Sequence, residues 1–386
     1  MRHYHAVAAG VPRAEPRRDP GHRERGHEGL MGKADRMGAM TTSGSGGKGA
    51  PSARPVVTLR DVASKAGVSV ATVSLVVNEK TQSRVSEATQ QRVLQAVNEL
   101  GYRTNALAKS LVRGESAFIG IVSDAIATTP FAGKIIRGAQ EEARRHGYVL
   151  LVADTDADPD ATQQAIQMMI DHRALGVLYS TWYHREVDAP AALEGVPSVF
   201  VNCLASEPGS CSIIPDEVRG GETATSLLVG RGHQRIAFIN STEDAPSTVG
   251  RLEGYRLALR SAGIEPDERL VFTAVPEQEG GYDAAAAMLA LSDRPTAVFC
   301  YNDRVAMGLY DRVKEEGLRI PDDLAVVGFD DQEVIAAHLR PTLSSVALPH
   351  YDIGVLGVRA LLARVAGDRT EAVQRVFCPP VLRDSF

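Results

Sequence analysis

The chain has 386 residues, 44% apolar and 23% charged, the balance of a globular protein with two or three domains. No apolar run approaches the roughly 18 to 20 residues of a membrane helix. Four scattered cysteines (Cys203, Cys211, Cys300, Cys378) without a C-x-x-C pair argue against a zinc site or a disulfide framework. The net charge of −6 hides an asymmetry: Lys+Arg against Asp+Glu runs ten to five over residues 1–54, eight to four over 55–113, and 24 to 39 beyond. A basic front end on an acidic body suits either an anionic partner such as nucleic acid or a solubilising tail.

Residues 1–54 hold few large apolar groups and end in Thr41-Thr-Ser-Gly-Ser-Gly-Gly-Lys-Gly49, so they are expected to be a disordered basic tail. Nothing there has the apolar core of a signal peptide, and a cytoplasmic protein is expected. Thr58-Leu-Arg-Asp61 is a capping box that starts a helix at Leu59. Gly67 ends it and Ser69 caps a second helix, while Val62, Ala63, Ala66, Val68, Val73 and Val76 fall on the faces that must meet. These are the demands of a helix-turn-helix. A third helix is expected over 87–100, with Val93, Leu94, Val97 and Leu100 as its core stripe, and then a helical turn and a half at 105–111.

Beyond Gly114, apolar runs alternate with amphipathic segments. Strands are expected near Phe118, Val149, Leu175, Ser198, Arg235, Arg269, Ala297 and Leu324; helices are expected over 131–146, 160–171, 249–262, 282–291 and 304–316. This alternation implies parallel sheets covered on both faces, in two lobes. Neither Asp330-Asp331 nor Asp154-x-Asp156-x-Asp158 completes a catalytic or calcium-binding set, and no G-x-G-x-x-G follows the first strand. No cofactor, metal or catalytic constellation is expected.

From Val57 to Ile121 the sequence resembles the DNA-binding head and hinge of the LacI/GalR family of bacterial transcription regulators. The likeness continues through Gly232-His-Gln-Arg-Ile-Ala-Phe238, Gly250-Arg-Leu-Glu-Gly254, Pro295-Thr-Ala-Val-Phe-Cys-Tyr-Asn-Asp303 and Val327-Gly-Phe-Asp-Asp331. It implies a helix-turn-helix head (55–103), a hinge helix and linker (104–116), and a two-lobed periplasmic-binding-protein-like α/β domain (117–386). The lobes are expected at roughly 117–216 plus 345–366 and 217–344 plus 367–386.

The resemblance also implies roles. Val70, Ala71 and Leu75 would reach base edges in the major groove, with the hydroxyls of Ser69, Thr72 and Ser74 beside them; Leu111 would wedge into a base step in the minor groove, with Asn105 and Ala108 on the groove floor. Thr58, Asn78, Arg84, Tyr102 and Lys109 are phosphate-side candidates. Thr104 stands where the family commonly has proline, and the loop from Asn78 to Ser86 is longer than in one of the family's members, which leaves Arg84 less constrained. For an effector, Arg251, Asn302, Asp303 and Asp330 would supply polar contacts, and Phe131 and Trp182 apolar walls. Trp182, the only tryptophan, fits a core position as well as a stacking one. The expected protein is a homodimeric regulator, most simply a repressor, that leaves a palindromic double-stranded operator when a small effector binds. A sugar is the first expectation, with a purine or nucleoside, or a co-repressor, as the alternative. A sugar-binding protein or enzyme with the same lobes and no DNA is the rival from another class.

Overall fold

The computed structural model describes residues 57–77, 85–102, 118–125 and 133–386. Seven of the candidate site residues, Asn78, Arg84, Asn105, Ala108, Lys109, Leu111 and Phe131, lie outside them. So does the expected hinge helix.

The head consists of α1 (Leu59–Ala66), α2 (Val70–Val77) and α3 (Glu87–Leu100). Gly67 turns at φ 66°, and the Val68 amide donates back to the Ala63 carbonyl at 3.1 Å, closing α1. Ser69 then caps α2, its hydroxyl accepting from the Thr72 amide at 3.1 Å. Val62, Ala63, Ala66, Val73 and Val76 are buried with Val93 and Ala96 of α3. Here the expected stripe is corrected: Leu94 is 46% exposed, and Ala96, three residues beyond Val93, takes the inward position. The small side chain suits three short helices packed closely.

Two six-stranded sheets follow. The first is parallel throughout, in the order β2-β1-β3-β4-β5-β11: β1 (Phe118–Ser123), β2 (Val149–Asp154), β3 (Val177–Val187), β4 (Ser198–Ala205), β5 (Ser212–Pro215) and β11 (Val373–Val376). The second has the order β7-β6-β8-β9-β10-β12, with β6 (Ile236–Ser241), β7 (Val271–Ala274), β8 (Ala297–Cys300), β9 (Ala325–Asp330) and β10 (Ser344–Ala347) parallel, and β12 (Pro380–Val381) antiparallel at the edge. Buried runs such as Phe118-Ile-Gly-Ile-Val-Ser123 and Ala297-Val-Phe-Cys300 are continuous because helices cover both faces. In each sheet the strand order reverses beside the first strand, the arrangement that places ligands at strand C-terminal ends.

The covering helices are α4 (Gly133–Arg145), α5 (Pro159–Asp171), α6 (Glu217–Gly230), α7 (Pro246–Ser261), α8 (Gln278–Leu289), α9 (Asp303–Glu315), the single turn α10 (Glu333–Ala336) and α11 (His350–Ala366). Three of them, α6, the short α10 and α11, fall where the chain-order reading assigned no element. The lobe limits also shift: β10 lies wholly in the second sheet, and β11 pairs with β5 in the first, so the last crossover follows Val376 and not residue 366. β11, Val-Gln-Arg-Val, is too short and too polar to announce itself as a strand. Among the described residues, no helix is long and apolar enough to cross a membrane, and no acidic, His or Cys group is set to hold a metal.

Candidate functional site

α2 presents an uncharged face. Val70 is 41% exposed, Ala71 is exposed, and Thr72, Ser74 and Leu75 are half-buried. The Ser69 and Thr72 hydroxyls lie 2.9 Å apart, so part of their hydrogen-bonding capacity is spent on the cap. Thr58 is exposed just before α1, and Tyr102 is half-buried after Gly101, its amide donating to the Val97 carbonyl at 3.0 Å. This face offers methyl groups and hydroxyls to a groove.

In the second lobe the C-terminal ends of β8 and β9 meet the first turns of α6 and α7. Arg251, on α7, is buried: its Nε donates to Glu217 Oε2 at 2.8 Å, its Nη1 donates to the Tyr301 carbonyl at 2.6 Å, and Asp330 Oδ1 stands 3.5 Å from Nη1. The guanidinium also lies over the Phe329 ring, 3.7 Å from its centre. Arg251 and Asp330 therefore form one cluster in direct contact, and not two walls on opposite sides of a ligand.

The carboxyls around Arg251 are unequal. Burial alone would raise Glu217, but Arg251 and His184 outweigh it and hold the carboxyl at about 2. Asp330 is pushed above the ordinary range, because burial exceeds what Arg251 and Gln332 return. Gln332 Nε2 donates to its Oδ2 at 3.0 Å, closer than Arg251 Nη1 at 3.5 Å. The guanidinium is thus committed chiefly to Glu217, and Asp330 gains from any further donor. Asp330 and Asp331 also hold positive φ, 96° and 50°, a strained backbone at the strand end.

Asn302 and Asp303 are placed differently from the expectation. The Asn302 amide caps α9, its Oδ1 accepting from Val305 N at 2.8 Å, and its Nδ2 donates to the Pro276 carbonyl at 3.0 Å. Asp303 is fully buried, accepting from Ser345 Oγ and from Gln332 N, both at 2.6 Å. Burial and then Asp330 raise it well above the ordinary carboxyl range. Both side chains have internal partners at the ends of the sheet.

Across in the first lobe, Trp182 packs partly against the lobe's apolar core and meets Tyr183 edge-on at 4.8 Å. Its amide donates to Asp124 Oδ1 at 2.9 Å, and Arg185 Nη2 donates to Asp124 Oδ2 at 2.9 Å. Sequence reasoning missed Asp124, His184, Arg185 and Glu217. Asp124 directly follows the end of β1, a signal that was present; Glu217 opens α6 two residues beyond β5, a strand the sequence did not announce, and His184 and Arg185 sit inside a long strand and gave none.

Two family models match this chain in two separate parts. Residues 58–105 match bacterial regulatory proteins of the lacI family, and residues 225–386 match a periplasmic binding protein-like domain. The HTH-type transcriptional repressor PurR of Vibrio atlanticus (strain LGP32) is 35% identical over 326 residues, 83% of this chain and 95% of that protein. The chain belongs to the lacI family of bacterial regulatory proteins. Within that family, the ribose operon repressor of Escherichia coli (strain K12) is 33% identical over 331 residues, covering 85% of this chain and 99% of that one. The lac repressor dimer bound to operator and an anti-inducer, a solved structure, superposes with a TM-score of 0.70 at 28% identity, over 85% of this chain and 98% of that chain. Like these relatives, the protein is a DNA-binding transcriptional regulator and not an enzyme.

Proposed function

We propose that the protein represses transcription in the cytoplasm as a homodimer on a palindromic operator, and leaves it when a small polyhydroxylated molecule, a sugar, engages Arg251 and Asp330 between the lobes. The observation that carries the effector reading is Asp330: a buried carboxyl, raised despite its contact with Arg251, at the C-terminal end of β9. Hydroxyl donors would relieve it, whereas a phosphate would meet an arginine already neutralised by Glu217. Trp182 and Tyr183 offer aromatic surface from the first lobe. That surface, with the PurR relative, favours a purine or nucleoside as the second reading.

The head would read DNA through the apolar and hydroxyl face of α2, and the hinge, with Leu111 as wedge, through base-step deformability. Head, hinge and lobes take the limits 55–103, 104–116 and 117–386, after the basic tail of residues 1–54. Exposed β2 supports a second copy as partner: Val149, Leu151 and Val152, at 60%, 42% and 42% exposure, line a sheet edge.

A thermal-shift screen of sugars, sugar phosphates and nucleosides, followed by operator-release titrations with each hit, tests the effector reading. A neutral sugar that releases operator from the wild type but not from Asp330→Ala or Arg251→Ala is expected. Stabilisation by nucleosides alone would replace the sugar reading, and tighter operator binding on ligand addition would reverse the polarity.

A further inference from the structure

The contacts around Arg251 do not stop at the second lobe. His184 belongs to β3 in the first sheet, and its Nδ1 lies 3.3 Å from Glu217 Oε1 while Arg251 holds the other carboxylate oxygen. His184, Glu217, Arg251 and Asp330 thus form an unbroken file from the sheet of one lobe to a strand end of the other. Their side chains are only 6%, 5%, 4% and 9% exposed.

His184 is also aimed by the backbone. β3 and β4 lose register between Ser180 and Arg185, an irregularity of the kind that redirects side chains. This stretch is pinned to the first lobe at two points, the Trp182 amide and the Arg185 guanidinium, both on Asp124. His184 therefore moves with the first lobe. Its Nε2 is buried and meets no hydrogen-bond partner among the described residues, so Glu217 is the polar contact that holds the ring. Side chains left partly unsatisfied in a buried file are sensitive to small rotations, because a lost contact is not replaced by water.

We propose that His184 and Glu217 are the positioning pair that ties lobe orientation to Arg251. This rests on the reading of Arg251 as the effector's anchor. Rotation of the first lobe withdraws His184 and leaves Glu217 with Arg251 as its remaining side-chain partner; a ligand that draws Arg251 away loosens Glu217 from the other side. Coupling of this kind is reciprocal, so each event biases the other.

The experiment uses the full chain without any ligand. Nitroxide labels on Met168→Cys in the first lobe and Leu257→Cys in the second report the lobe-to-lobe distance by pulsed electron resonance, with labelled protein diluted in unlabelled protein to isolate pairs within one chain. The native cysteines are buried, which keeps the labels at the introduced sites. His184→Leu and Glu217→Gln are expected to shift or broaden the distance distribution and to change operator affinity by about five- to 150-fold. His184→Asn, whose amide can donate to Glu217 from the place of Nδ1, is expected to restore both. Should Glu217→Gln fail to fold, His184→Leu decides alone. A wild-type distribution and operator affinity in folded His184→Leu, with only the melting temperature lowered, would overturn the proposal. The effector reading fails separately: Arg251→Lys retaining the full effector response would remove the anchor and leave the distance result standing.

Discussion

Glu217 and Arg251 meet at 2.8 Å because the helices that carry them touch through glycine. On α7, Gly250 and Gly254 face α6; a side-chain carbon at Gly250 would lie 2.7 Å from Glu217 Cβ, and one at Gly254 would run into the Val218 carbonyl. Gly221 of α6 faces the Arg251 backbone in the same way. The buried ion pair is a product of this close seam. The first lobe repeats the device, Gly138 of α4 lying against the Tyr351 backbone and Gly354 of α11 against that of Ile135.

Gly254→Ala should therefore separate α6 from α7 and disturb the ion pair without touching a charged group. Overpacking of this kind costs about 1 to 3 kcal/mol. Thermal unfolding should show a lower melting temperature, and the effector response of the folded protein should weaken. An unchanged melting temperature would mean that the seam is looser than the contact implies.

The Glu217 carboxyl gives a pH signature. Its folded value, about 2, lies below the ordinary 4.5, so its stabilisation is complete above about 4.5 and is lost as pH falls toward 2. Removing one partner of a buried pair typically costs about 3 to 5 kcal/mol. The stability difference between wild type and Glu217→Gln should therefore be large at pH 7 and shrink between about pH 4.5 and 2. Denaturant titrations at several pH values measure it. A difference constant over that window would show that Glu217 carries no proton linkage. Asp303, raised by burial, has the opposite sign and favours the folded state more as pH falls.

On the head, α2 carries no charged side chain, so its contribution to DNA binding should be independent of counterion release. Val70→Ala is expected to weaken binding to the cognate operator by about tenfold, roughly 1.4 kcal/mol, while leaving the slope of log affinity against log salt unchanged. Gel-shift titrations at several salt concentrations on operator and scrambled DNA distinguish the cases. Equal losses on both DNAs would place Val70 in the core of the head instead of at the bases.

The exposed edge of the first sheet should matter for assembly. Leu151→Asp introduces a charge on β2 without entering either lobe's core, since Leu151 is 42% exposed. Sedimentation analysis should show monomer, and operator affinity should fall because two half-sites are no longer bound by one particle. A variant that remains dimeric would move the interface to another face.

What the sequence by itself determined follows from local rules. The Thr58 to Ser69 boundaries of the first two helices, with Gly67 between, are written in capping residues and positive φ, and the alternation of apolar runs with amphipathic segments specified parallel sheets in two lobes. Arg251 and Asp330 were legible as polar residues in phrases that the family shares. Tertiary packing decided the rest. α6 is hard to read in sequence because it packs tightly against α7 and the sheet through Gly220, Gly221, Ala224 and Thr225, so it lacks a marked apolar stripe; α11 is mostly apolar, with a polar face reduced to Asp352, Arg359 and Arg364. Asn302 and Asp303 look like ligand groups in sequence, but in space they meet the start of α9 and the Ser345 hydroxyl at the start of β10 and are used there. His184 and Glu217 stand 33 residues apart, on different lobes, and no local pattern brings them together. Only the crossover after β5 and the irregular register of β3 set them side by side, because contact between distant residues is fixed by the path of the chain and not by the propensities along it.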